Sequence, residues 1–152
     1  MSQRKKNIGF IIGSLLRRKK LAFISILEPF GITPRQYAVL FSLWEEGRQP
    51  LTELATRLYA DASSLSRIVL LLEKSGLIQR RRDENDRRVF RLMLAPRGEV
   101  LMQQIWPLVE AHEARMLRGI SKDEIERVAA AMQKMIANLS APSVDDATTD
   151  NP

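Results

Sequence analysis

The sequence predicts a mainly α-helical protein with one small β-hairpin, and three observations carry that expectation. Apolar residues recur at three- and four-residue steps through most of the 152 residues. Two short segments with helix-capping residues lie close together near the middle of the chain. A stretch with strand-like alternation and an arginine-rich tip follows them directly.

The first helix is predicted from Ile8 to about Phe30. Ile8, Ile11, Ile12, Leu15, Ala22, Phe23, Ile26, Leu27 and Phe30 form one apolar stripe, and Pro29 and Gly31 end it. Thr33-Pro34-Arg35-Gln36 has the pattern of a capping box with proline at the first helical position, opening a second helix that runs through Trp44 to a stop at Gly47. Thr52 is expected to cap a short third helix carrying Leu54, Ala55 and Leu58. Asp61 is expected to cap a fourth, with Leu65, Ile68, Val69 and Leu72 facing inward and Gly76 as its stop.

Two short helices a few residues apart, the second opening with Ala62-Ser63-Ser64 and then Ser66-Arg67, follow helix-turn-helix grammar. Small hydroxyl side chains at a helix start approach a phosphate or a base edge closely, and they are also ordinary caps. Residues 77–82 and 89–94 read as two strands of a hairpin, with Asp83-Glu84-Asn85-Asp86-Arg87-Arg88 as its tip. A hairpin that follows a recognition helix and carries arginines suits the narrow, electronegative minor groove. A solvated turn would account for Asp83 and Glu84, but not for Arg80, Arg81 and Arg82 at the base together with Arg87 and Arg88 at the tip.

The remainder is helical again. Pro96 starts a helix with Leu101, Ile105, Leu108, Val109, His112 and Met116 on one face, and Pro107 is expected to kink or interrupt it. Ser121-Lys122-Asp123-Glu124 is a second capping box, followed by Ile125, Val128, Ala129, Met132, Ile136 and Leu139. From residue 140 the composition is that of a disordered acidic tail.

Composition narrows the function. The absence of cysteine excludes a disulfide framework, a cysteine-based zinc finger, a thiol nucleophile and a thiol switch. One histidine, His112, leaves little for a metal site or a Ser/His/Asp triad, so no enzyme, metal or cofactor is expected, and His112 itself reads as a packing residue. The net charge is +6, and Asp145, Asp146 and Asp150 lie in a tail without Lys or Arg, which concentrates positive charge on the rest. Such a chain is expected to meet polyanions, nucleic acid first. Arg17-Arg18-Lys19-Lys20 interrupts the apolar run from Leu15 to Leu27, so neither a transmembrane span nor a signal peptide is expected, and a cytoplasmic location follows.

The order of elements from Ile8 to Leu139 resembles the MarR family of bacterial winged-helix regulators. The resemblance is most specific from Leu54-Ala55 through Gly98, including Leu72-Glu73-Lys74-Ser75-Gly76-Leu77-Ile78 and the wing triplet Asp86-Arg87-Arg88. It implies a winged helix-turn-helix domain over 34–95 and a helical dimerisation region formed by 1–33 and 96–139. It also implies a homodimer that binds double-stranded DNA at a pseudo-palindromic operator. The extent of the apolar stripes in the first and last helices independently points to a dimer.

On this reading Ser63, Ser64, Ser66 and Arg67 lie in or beside the major groove, with Arg67 assigned to a base edge or a phosphate. Asp86 holds the wing, and Arg88, or Arg87 in exchange, enters the minor groove. Lys74, Arg80, Arg81 and Arg82 contact phosphate or steer, whereas Arg57 forms structural ion pairs. The resemblance further implies an effector pocket for a small aromatic carboxylate, built from Arg17, Lys20, Tyr37, Phe41 and Arg67, and a repressor that this ligand releases. An activator or anti-silencing regulator of the same fold, or a protein-binding scaffold, are the rival readings. Two positions depart from the family's pattern: Tyr59 stands where glycine is common in the turn, and Ala95 stands where a threonine cap is usual.

Overall fold

The computed structural model describes residues 7–84 and 86–140. The chain falls into two compact units that divide between Glu113 and Ala114.

In the first unit, α1 spans Ile8–Leu27, with Asn7 as its cap, and continues as a short 3-10 turn, Glu28–Phe30. Gly31 closes it as expected. Then α2, Pro34–Glu46, opens on the predicted capping box. The Gln36 amide N–H donates to the Thr33 hydroxyl, and the Thr33 N–H donates to the Gln36 side chain at 2.9 Å. A two-residue strand, β1, Gln49–Pro50, leads into α3, Leu51–Arg57, and after a turn α4 spans Ala62–Lys74. The hairpin is β2, Ile78–Arg82, with β3, Phe90–Leu94, and α5 follows over Pro96–Met116.

The sheet is antiparallel in the order β1-β3-β2. Its register pairs Ile78 with Leu94, Arg80 with Leu92 and Arg82 with Phe90 on one face, and Arg81 with Arg91 on the other. β1 pairs Gln49 with Leu92. Leu54, Leu65, Val69, Leu72, Leu92, Met102 and Ile105 are almost wholly buried and form one core with Leu27, Val39, Leu40 and Leu43. Truncating one of these leucines to alanine costs ~2–5 kcal/mol through lost burial and the cavity left behind.

Several expectations are corrected. α3 begins at Leu51 with Pro50 at its cap, so Thr52 lies inside the first turn and its carbonyl accepts the Thr56 hydroxyl. α5 runs through Pro107 without interruption, and the proline is exposed, away from the buried Met102, Ile105 and Val109. The buried face of α5 is built from Met102, Ile105 and Val109, while Leu108 is exposed. β1 was not expected, because two residues are too short for any periodicity.

The second unit holds the end of α5 and α6, Lys122–Ser140. Its predicted capping box is present: the Ser121 N–H donates to Glu124 at 2.8 Å, and the Glu124 N–H donates to the Ser121 hydroxyl. No residue of α6 is buried, so its apolar stripe, including Val128, Ile136 and Leu139, stands exposed. The acidic tail beyond residue 140 lies outside the described residues.

Candidate nucleic-acid interface

One helix, α4, and one hairpin position the predicted contact residues. Asp61 caps α4 by accepting the Ser64 N–H at 2.7 Å and the Ser63 hydroxyl at 2.7 Å. These bonds, the Ser64 one foremost, lower the Asp61 pKa below the ordinary carboxylate range. Ser63 is therefore engaged in the cap, and the carboxylate already occupies the positive end of the helix dipole. Along the rest of α4, Ser66, Arg67, Leu70 and Lys74 are exposed at helical spacing, opposite the buried Leu65, Val69 and Leu72. Leu70 was not named from the sequence, which placed Leu65, Ile68, Val69 and Leu72 inward and nominated only polar residues for the exposed face.

The wing is held by its acids. The Asp86 carboxylate accepts the Arg88 backbone N–H at 3.0 Å, and the Asp86 carbonyl accepts the Val89 N–H at 2.9 Å. This fixes the backbone of Arg88 and leaves its guanidinium exposed. Asp83 accepts the Asp86 N–H at 3.1 Å and pairs with the Arg91 guanidinium, whose pKa is raised chiefly by that hydrogen bond. Asp83 and Arg91 were missed as wing residues; Asp83 read as turn charge, and only the register brings Arg91 alongside it.

The basic residues are not equivalent. Arg80 makes a two-bond pair with Glu73 of α4, at 3.2 and 3.1 Å, which ties the hairpin to that helix. Arg80 and Arg82 lie 6.0 and 5.4 Å from the Phe90 ring centre, on the face that Phe90 shares with them. Arg57 pairs with Glu46 at 2.7 Å, as structural ion pairing predicts. Arg48, Arg81, Arg82 and Arg91 surround a cleft with Asp83 and Glu84 beside the wing, and Arg48 reaches Glu84 at 3.5 Å. Among the described residues Arg67, Lys74, Arg87 and Arg88 are exposed and engage no carboxylate.

A second site lies away from the wing. A cavity of about 670 Å³ is lined by α1, α2 and α5, with Phe23, Tyr37, Phe41 and Trp106 as its aromatic wall. Of the five residues expected round an effector, Lys20, Tyr37 and Phe41 line it. Arg17 and Arg67 do not. Leu16, Lys19, Lys20 and Phe23 share one face of α1 at steps of three and four, which turns Arg17 aside, and Arg67 is on the exposed face of α4. Burial, with the charges of Glu45 and Glu113, pushes the Tyr37 hydroxyl up to about 12. Among the described residues no cluster of acidic or histidine side chains could hold a metal ion, and no helix is long and apolar enough to cross a membrane.

Comparison with known proteins places this arrangement. The model of the MarR family matches residues 32–90, the stretch from the start of α2 to the wing. The HTH-type transcriptional regulator YsmB of Bacillus subtilis is 29% identical over 110 residues, covering 72% of this chain and 75% of that protein. The HTH-type transcriptional repressor MdtR of the same organism is 27% identical over 133 residues, covering 88% and 86%. Among solved structures, AbsC of Streptomyces coelicolor, a MarR family transcriptional regulator, superposes with a TM-score of 0.81 at 24% identity, covering 91% of this chain and 96% of that one. A mutant of Escherichia coli MarR complexed with operator DNA gives a TM-score of 0.74 at 23% identity, covering 89% and 99%. The family match falls on the helix-turn-helix and wing, and the relatives extend it over the flanking helices: this chain belongs to the MarR family of transcriptional regulators.

Proposed function

We propose that the protein is a cytoplasmic, homodimeric repressor that binds a pseudo-palindromic operator and is released from it by a small aromatic ligand. The observation that carries the DNA contact is the state of Arg88. Its backbone is pinned by Asp86 while its guanidinium is exposed at the wing tip without an acidic partner. Arg88 enters the minor groove, where a narrow groove strengthens its attraction. Ser64, Ser66 and Arg67 meet the major groove, and Leu70 adds an apolar surface suited to a thymine methyl. Ser63 acts through the cap. Lys74, Arg81, Arg82 and Arg87 contact phosphate, and Arg80 steadies the hairpin against α4 through Glu73.

Residues 1–33 and 96–139 form the dimerisation region and 34–95 the DNA-binding domain. In support, Ile8, Ile11 and Leu15 stand exposed in the first unit and Val128, Ile136 and Leu139 in the second, apolar faces that a two-fold partner would cover. The name of MdtR as a repressor and the operator complex of the E. coli protein support the reading by likeness.

The test is operator binding by fluorescence anisotropy at two salt concentrations, using a site selected from genomic fragments. Arg88→Ala is expected to weaken specific binding by ~1–3 kcal/mol without changing the dimer mass. Wild-type affinity in that variant would sink the assigned role.

A further inference from the structure

The turn between α3 and α4 holds a side chain that the fold itself does not use. Among the described residues Tyr59 is the one non-glycine with positive φ, at 49°. It is 99% exposed, and among the described residues its hydroxyl makes no hydrogen bond. The bonds that close the turn, from the Tyr59 N–H to Thr56 at 3.2 Å and from the Ala60 N–H to Ala55 at 3.0 Å, are made by backbone alone. Glycine would make them without the Cβ clash. Backbone strain of this kind clusters at sites that contact another molecule.

We infer that Tyr59 is a contact to the DNA backbone, its hydroxyl donating to a phosphate at the edge of the major groove in each half-site. This rests on the DNA-binding reading above and adds a residue that lies outside both α4 and the wing. In a helix-turn-helix the first helix crosses the sugar-phosphate backbone and the second enters the major groove. The turn that joins them lies where the chain passes from one to the other. Tyr59 stands two residues before Asp61, the cap of α4, at the same end of that helix as Ser63 and Ser64. A tyrosine hydroxyl is a regular partner of phosphate oxygen, and its ring, with two rotatable bonds, loses little freedom on contact.

Charge at this rim does not select the partner. Tyr59 lines a cleft of about 300 Å³ with Arg35, Asp61 and Ser64, in which one cation offsets one carboxylate. The Asp61 carboxylate is engaged in the cap, accepting the Ser63 hydroxyl and the Ser64 N–H at 2.7 Å each. The phenol is therefore the donor left to act, and its contact differs from a guanidinium contact in a measurable way. A lost cation lowers the number of counterions released on binding, whereas a lost hydroxyl leaves it unchanged.

Binding is measured by fluorescence anisotropy on the operator duplex selected from genomic fragments. Tyr59→Phe removes the hydroxyl and keeps the ring and the strained backbone. It is expected to weaken binding roughly tenfold, one hydrogen bond to a charged group being lost in each half-site, with no change in salt dependence. The loss should be the same factor on operators carrying single base changes, since phosphates carry no sequence. Tyr59→Gly should bind as weakly as Tyr59→Phe yet unfold at higher urea. Affinity and stability then move in opposite directions, which a purely structural role does not produce. Single phosphates are also replaced by uncharged methylphosphonates: at one position in each half-site the wild type should lose affinity and Tyr59→Phe should lose less. Circular dichroism and dimer mass confirm that each variant is folded.

Wild-type affinity in Tyr59→Phe, a loss confined to particular base changes, or no phosphate at which variant and wild type differ would overturn the inference. Arg88→Ala in the same assay separates it from the reading beneath it. If Arg88→Ala weakens binding and Tyr59→Phe does not, the Tyr59 contact is wrong and the DNA reading stands. If the wild type binds no selected duplex, both fall.

Discussion

Tyr59 offers a sharp test of the reasoning about this fold. The turn between α3 and α4 is closed by the same pair of hydrogen bonds that closes α4. After α4, the Gly76 N–H donates to Glu73 and the Leu77 N–H to Leu72, with Gly76 at φ 70°. After α3, the Tyr59 N–H donates to Thr56 at 3.2 Å and the Ala60 N–H to Ala55 at 3.0 Å, with Tyr59 at φ 49°. This motif requires a left-handed residue, and glycine supplies it without a Cβ clash. For a tyrosine that conformation costs ~1–2 kcal/mol. Its ring is 99% exposed, so packing returns almost nothing. Tyr59→Gly removes the clash but adds ~0.5–1 kcal/mol of backbone entropy lost on folding. The balance is a stabilisation of about 1 kcal/mol, or ~2–4 °C in melting temperature for a chain this long. Urea unfolding should be measured at fixed protein concentration, because assembly makes stability concentration-dependent. Tyr59→Ala is the control: it keeps the strained backbone and should stay within ~0.5 kcal/mol of wild type. If the glycine variant were no more stable than the alanine variant, the assignment of strain to this turn would be wrong.

Other expectations follow from close approach, capping and ionisation. A Cβ added at Gly98 would stand 2.0 Å from the Leu77 carbonyl oxygen, a backbone atom, so Gly98→Ala should displace the start of α5 and destabilise by ~1–3 kcal/mol in urea unfolding; an unperturbed midpoint would contradict that contact. Ala95 occupies the cap of α5, its carbonyl accepting the Glu99 N–H at 3.0 Å, so Ala95→Ser should raise stability by ~1 kcal/mol, and no gain would show that the end is satisfied otherwise. The Asp61 pKa is lowered in the folded chain, so its stabilisation is present above the ordinary carboxylate value of ~3.9 and lost as pH falls through the lower folded value. Asp61→Asn keeps a cap without the charge, so its melting temperature should match wild type near neutrality and fall less steeply in acid. Parallel acid limbs would remove Asp61 from the titration.

Much of the helical framework was legible because it rests on local chemistry. Thr33 with Gln36, Asp61 with Ser64, and Ser121 with Glu124 each satisfy helix-end N–H groups from within four residues, so the sequence alone places those starts. The hairpin and the basic wing were legible for the same reason, since alternation and turn residues are read over a short window. Candidate DNA-contact residues could be nominated from sequence, but the ion pairs that each of them makes could not. Arg80 looked equivalent to Arg81 and Arg82 until the approach of β2 to α4 paired it with Glu73.

What tertiary structure alone decided is which distant residues meet. The pairing of β1 with β3 joins residues some forty positions apart over two residues, and Asp83 reaches Arg91 only through the hairpin register. The cavity draws its wall from three separate helices, so it kept Lys20, Tyr37 and Phe41 and turned Arg17 and Arg67 away. Residue type and spacing along the chain determine helix starts, strand alternation and overall charge, because those depend on neighbours three or four residues away. Ion-pair partners, pocket chemistry and which apolar face stays uncovered depend on packing between elements, and no local pattern encodes that geometry.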